Sequence, residues 1–200
     1  MVIVNLANKI TTSRMVLSII IIIILLFPFY EVGIDVPTYL VNGNIVVDLR
    51  YIIAGVLFII ASLTDFLDGH VARKYNMVTD FGKMVDAISD KMLTNSLLVI
   101  LASAGMISTV VAVIIIVRDF AVDSMKMIVG NKGHAVAAIF TAKCKTASLM
   151  VGLAFALFYN LPFELIGVRV CDVLLIISSI FALVSAFQYY IMASKYIDIK

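Results

Sequence analysis

Residues 14–30 read RMVLSIIIIIILLFPFY, with Ile19 to Ile24 unbroken and Pro28 near the end of the run. About 20 consecutive apolar residues cross the hydrocarbon core of a bilayer as a helix. This stretch is the clearest of six that qualify: residues 10–30, 51–72, 84–104, 107–129, 144–162 and 172–193. It does not read as a cleaved leader, because no small-residue cleavage site follows it and five more apolar spans do. The rest of the composition agrees. The 200 residues are 63% hydrophobic and 14% charged, with a mean hydropathy of +1.13. A soluble domain is about 45–50% apolar and about 25% charged, so too little polar surface exists here to cover a water-soluble globule. Two cysteines exclude a disulfide scaffold. His70 and His134 do not make a zinc cluster, and a net charge of +2 gives no basis for binding nucleic acid.

The predicted fold class is therefore all-α, an integral membrane protein with six transmembrane helices in a single domain over residues 1–200. Basic residues orient it. Lys9, Arg14, Arg73, Lys74, Lys83, Lys126, Lys132, Lys143, Lys145, Lys195 and Lys200 collect on one side. Only Arg50 and Arg169 fall on the other, beside Glu31, Asp35, Asp48 and Glu164. Both termini are expected in the cytoplasm, in a multi-pass protein of the cell membrane. Residues 31–49 then form an external loop with turn formers Asn42, Gly43 and Asn44, and residues 103–108 a short external link. Tyrosines near residues 189–196 fit an interfacial belt.

The charges inside the apolar segments carry the chemistry, since an aspartate at a helix centre costs roughly 2.5–3.5 kcal/mol on insertion scales. Asp65 and Asp68 are three apart at the end of the second span, and Asp86 and Asp90 four apart at the start of the third. Both spacings place the pair on one helix face, and the turn between the spans brings the faces together at the cytoplasmic interface. Four converging carboxylates repel one another unless protonated or paired with cations. Oxygen-only ligands suit Mg²⁺ or Mn²⁺. Two such ions roughly 3.5–4 Å apart suit displacement at phosphorus. Gly69, Ala72 and Gly82 leave room for a bulky ligand, and Arg73 offers a planar fork to phosphate. Taken singly, these residues read as topology or packing positions. Four aspartates in two helical pairs flanking small residues do not. A cation or proton transporter is the competing class, and it predicts carboxylates at the midplane and broken helices.

Asp65-x-x-Asp68-Gly69-x-x-Ala72-Arg73, eight residues, then Gly82-x-x-x-Asp86-x-x-x-Asp90 resembles the signature of the CDP-alcohol phosphatidyltransferases at all eight specified positions. The resemblance covers the whole chain, because that family is built on six transmembrane helices with cytoplasmic termini. The runs Ala61–Gly69, Val78–Lys83, Asn8–Arg14, Arg118-Asp119-Phe120-Ala121-Val122 and Lys143-Cys144-Lys145-Thr146 resemble the branch whose acceptor is sn-glycerol 3-phosphate. Ala7, His70, Ala87 and Ser89 depart from the usual pattern without removing a ligand.

The resemblance implies transfer of a phosphatidyl group from CDP-diacylglycerol to an alcohol, with release of CMP. Serine, inositol phosphate or phosphatidylglycerol are alternative acceptors. It implies metal ligation by Asp65, Asp68, Asp86 and Asp90, with Asp90 also the catalytic base. It implies binding of the CDP moiety by Asn8, Thr11, Asp65, Asp68, Gly69, Ala72, Arg73 and Gly82. A dianionic acceptor phosphate calls for a basic pocket, for which Arg118, Lys143 and Lys145 are the candidates. The competing reading of Arg118 is an ion pair, with Asp119 or, since adjacent helix residues do not face each other, across helices. A homodimer through the third and fourth spans is an expectation by analogy.

Overall fold

The computed structural model describes residues 6–43, 45–74, 80–134, 137 and 139–196, of which residues 6–11, 65–74, 80–84, 86 and 87 are described through the backbone alone. Among the described residues the chain is mostly helical, with six α-helices: α1 Leu6–Leu26, α2 Leu49–Lys74, α3 Asp80–Ser103, α4 Thr109–Asn131, α5 Phe140–Leu157 and α6 Val170–Ser194. Each overlaps one of the six expected segments. The first starts earlier than expected and closes before Pro28, which has no N–H to continue the ladder. The fifth lies four to five residues upstream of its expected position.

Glycine and tyrosine close the helices. At the end of α3, Gly105 takes φ 70°, Met106 N–H donates to Leu101 O at 2.9 Å and Gly105 N–H to Ala102 O at 3.1 Å. This is a Schellman cap, which needs a left-handed residue. Gly133 (φ 79°) closes α4 the same way. At the end of α5 the left-handed position is held by Tyr159 (φ 56°), with Asn160 N–H reaching Phe155 O at 2.6 Å.

The expected external loop contains an antiparallel hairpin, β1 Thr38–Val41 and β2 Ile45–Asp48, registered Thr38↔Asp48 to Val41↔Ile45. Asn42 (φ 51°) and Gly43 (φ 75°) supply the left-handed turn. Sequence reading found the turn formers and missed the strands.

The core lies where α1, α2, α3 and α5 meet, around Ile21, Phe58, Leu97, Leu101 and Leu153. α5 and α6 pack most extensively. They approach closely because Gly152 has no side chain: a Cβ there would stand 3.0 Å from Leu175. Beside Leu175 and Tyr189, α6 buries Ser178, Ser179, Ala182 and Ser185, and it exposes Val173, Ile176, Ile180, Leu183 and Phe187. A soluble amphipathic helix does the reverse. Small and polar residues inside with large apolar ones outside is the pattern of helices that pack in lipid, where no hydrophobic force separates the faces. α5 and α6 are long and apolar enough to cross a membrane, and α1 and α2 carry the shorter apolar stretches Thr12–Leu26 and Leu49–Thr64.

The connections α1–α2, α3–α4 and α5–α6 meet at one end of the bundle: Asp48 N–H donates to Tyr159 Oη at 3.0 Å, and Arg169 Nη2 reaches Met106 O at 3.4 Å. The α4–α5 connection meets the end of α6 at the other, where His134 stacks on Tyr196 with ring centroids 4.5 Å apart.

Candidate functional site

The sequence-predicted residues divide into two groups. Asn8 and Thr11 fall in α1, Asp65, Asp68, Gly69, Ala72 and Arg73 in the last turns of α2, and Gly82 and Asp86 in the first turns of α3. Their side chains lie outside the described residues. Asp90, Arg118, Lys143 and Lys145 are described. Asp90 sits half-buried on α3, where Thr94 Oγ1 donates to its carbonyl at 2.9 Å. Beside it on the same helix, Ser89 Oγ is buried without a hydrogen-bond partner among the described residues.

The structure also brings together a buried charged cluster from α4, α5 and α6. Arg118, Asp119 and Lys145 are 9%, 8% and 5% exposed. Arg118 donates through Nη1 to Asp119 Oδ1 at 2.9 Å, through Nε to Ala182 O at 3.1 Å and through Nη2 to Ser185 Oγ at 2.6 Å. Lys145 Nζ, arriving from α5, donates to both oxygens of Asp119, at 2.9 and 2.7 Å. Ser178 Oγ donates to Lys145 O at 2.9 Å, fixing α5 against α6. Lys91 of α3 pairs with Asp123 of α4. Asp90 lies within electrostatic reach of both Lys91 and Lys145. Arg118 therefore pairs with its own neighbour as well as with α6. Its long arm lets the guanidinium fold onto Asp119, which the adjacency rule for short side chains does not anticipate. Lys143 is exposed.

Sequence reading did not single out Asp119 as a hub, nor Ser178, Ser185 and Tyr189 as its backing. A signal was present: Ser178, Ala182, Ser185 and Tyr189 recur at spacings of four, three and four, one stripe of a helix. Tyr189 is 2% exposed and so is not part of an interfacial belt. Its ring faces Arg118 at 5.8 Å and Lys126 at 4.7 Å, and its hydroxyl accepts from Ile139 N–H at 3.2 Å. Tyr190 is the exposed one.

An apolar groove of about 390 Å³ runs between α2 and α5, lined by Phe58, Ser62, Leu63, Met150, Phe155 and Phe158 among others. Its last described α2 wall residue, Leu63, lies two positions before Asp65.

The opposite end carries a different kind of polar structure. Asp48 and Arg50 form a bidentate pair, Nε donating to Oδ1 at 3.1 Å and Nη2 to Oδ2 at 2.6 Å. Arg169 pairs with Asp172 at 3.1 Å. Asn160 donates to Glu164 Oε2 at 2.9 Å and Val168 O at 2.7 Å and accepts from Cys171 N–H at 3.1 Å.

Residues 4–185 match the family described as CDP-alcohol phosphatidyltransferase. The chain is similar to the CDP-diacylglycerol–glycerol-3-phosphate 3-phosphatidyltransferase of Bacillus subtilis (strain 168), at 37% identity over 93% of each chain. Proteins of the same name from Rickettsia bellii (strain RML369-C) and Rickettsia felis (strain ATCC VR-1525 / URRWXCal2) are 29% and 28% identical. The first match covers 80% of this chain and 90% of the relative, the second 96% and 97%.

Proposed function

The chain belongs to the CDP-alcohol phosphatidyltransferase family, and on that premise we propose that it transfers the phosphatidyl group of CDP-diacylglycerol to sn-glycerol 3-phosphate, giving phosphatidylglycerophosphate and CMP. We propose further that all six helices span the membrane, with both termini and the active site on the cytoplasmic side. The observation that carries the reading is the convergence of two buried cations, Arg118 and Lys145, on Asp119, with Asp90 within electrostatic reach of Lys145. In this reading the cations receive the anionic acceptor and Asp90 is the base. The name shared by the relatives supports glycerol 3-phosphate as that acceptor.

Each residue set has a task. The groove between α2 and α5 suits an acyl chain, bringing the lipid's pyrophosphate to the end of α2 where Asp65 and Asp68 lie. Asn8, Thr11 and Arg73 hold the cytidine edges and phosphates, and Gly69, Ala72 and Gly82 leave the nucleotide space. Asp65, Asp68, Asp86 and Asp90 offer only hard oxygen donors, a set that fits Mg²⁺ or Mn²⁺. When bound, two such ions supply neutralisation of the pyrophosphate and of the departing CMP. Asp90 takes the proton of the acceptor's hydroxyl. The hydroxyl oxygen forms its bond to the phosphatidyl phosphorus as the bond to the bridging oxygen of CMP breaks. Arg118 and Lys145 hold the acceptor's phosphate, with Lys143 at the exposed rim.

The test is CMP release by the purified protein with a panel of alcohols, in Mg²⁺ or Mn²⁺, for wild type and Asp90→Asn. Release stimulated by glycerol 3-phosphate and absent in Asp90→Asn is the expected result. No stimulation by glycerol 3-phosphate would remove the acceptor assignment. Metal-independent solute flux in liposomes, indifferent to Asp90→Asn, would replace the enzyme with a transporter.

A further inference from the structure

We propose that Asp119 is the positioning residue of the acceptor pocket, a single buried carboxylate that sets the separation and aim of Arg118 and Lys145. This inference rests on the acceptor reading above. Asp119 touches no reacting atom and acts through its two partners.

Arg118 Nη1 and Lys145 Nζ both donate to the same Asp119 oxygen, each at 2.9 Å. The two positive groups, from different helices, are thereby held within two hydrogen-bond lengths of each other. Without the carboxylate between them they would repel in a site where little water screens them. The cluster is also built asymmetrically. α6 secures Arg118 from behind, through Ala182 O and Ser185 Oγ, and secures the α5 backbone through Ser178. Asp119 secures the front. A guanidinium has five N–H donors and an ammonium three. Asp119, Ala182 and Ser185 engage three of the first, and Asp119 two of the second. Among the described residues donors remain on both cations, and the triad keeps one net positive charge. That is what a phosphate needs: two cations at fixed spacing, with donors to spare and a favourable residual charge. A purely structural role would need only one cation, since one buried carboxylate is neutralised by one partner.

The prediction follows on binding of one substrate and not the other. In steady-state assays of the full-length protein in detergent micelles, Asp119→Asn raises the KM for glycerol 3-phosphate about tenfold or more, leaves the KM for CDP-diacylglycerol within about twofold, and Asp119→Glu restores most of the loss. Glycerol 3-phosphate should raise the thermal midpoint of the wild type and not of Asp119→Asn. If the wild type responds to glycerol 3-phosphate and Asp119→Asn responds equally, this proposal is overturned and the acceptor reading stands. If both KM values change in proportion, or Asp119→Asn fails to fold while Asp119→Glu folds without recovering the acceptor KM, Asp119 is structural and the proposal is likewise overturned. If the wild type itself shows neither turnover nor thermal shift with glycerol 3-phosphate, the acceptor reading falls and takes this one with it.

Discussion

The two ends of the bundle use charge in opposite ways. At the hairpin end, ion pairs join residues two or three apart, Asp48 with Arg50 and Arg169 with Asp172, and they remain in contact with solvent. At the other end, Lys145 crosses 26 residues to reach Asp119, and Arg118 crosses 67 to reach Ser185, all buried. Local pairs tie down connections. Long-range buried ones have to be assembled by the whole fold and cost desolvation, which makes them expensive unless the site they form is used.

Four substitutions, and removal of metal, sharpen that contrast. The largest is Asp90→Asn: CMP release should fall about 10²–10⁴-fold, the usual worth of a general base, with the protein still folded. Stripping divalent ions should likewise abolish release, and Mg²⁺ or Mn²⁺ restore it. Next is Lys145→Met. It should destabilise the protein by about 3 kcal/mol, the low end for a broken buried pair because Arg118 still faces Asp119, as well as weaken acceptor use. Thermal unfolding in detergent measures the first effect and acceptor titration the second. Third is Asn160→Ala at the hairpin end. It strips partners from Cys171 N–H and Val168 O, for about 1–3 kcal/mol, with catalysis unchanged. The smallest is Arg169→Ala. The arginine is 56% exposed, so the melting curve should move by the equivalent of no more than about 1 kcal/mol. If Arg169→Ala cost as much as Lys145→Met, the contrast between the ends would collapse.

Much of this was legible in the sequence, for a physical reason. Bilayer thickness imposes a length on apolar runs, so the six helices could be placed from runs such as Ile19–Ile24. Arg118 stood out because a charge in an apolar segment demands a partner. Its partners did not, because the choice depends on where α6 lies relative to α4, a tertiary fact. The pairing with Asp119 is one the sequence offers and the helix-neighbour rule ranks second, a rule that holds for short side chains and fails for an arginine that can fold back along its own helix. The hairpin was hidden because Tyr39, Leu40, Val46 and Val47 sit in a loop flanked by two long apolar runs, where four-residue strands are too short to weigh. Tyr189 looked like an interfacial tyrosine because its position near the end of a span is the same whether it faces lipid or protein.

Tyr159 has a consequence for how the protein is made. It occupies a backbone conformation that favours glycine, and its hydroxyl accepts the Asp48 N–H across 111 residues. A chain is synthesised at about 5–20 residues per second, so the ribosome delivers this tyrosine on the order of 5–20 s after the hairpin. Through that interval α1, the hairpin and α2 must hold their arrangement with their own contacts, Asp48–Arg50 among them. The fastening between the first and last thirds of the protein is among the later ones to form, so slowing translation between residues 49 and 159 prolongs the interval in which the hairpin stands without it.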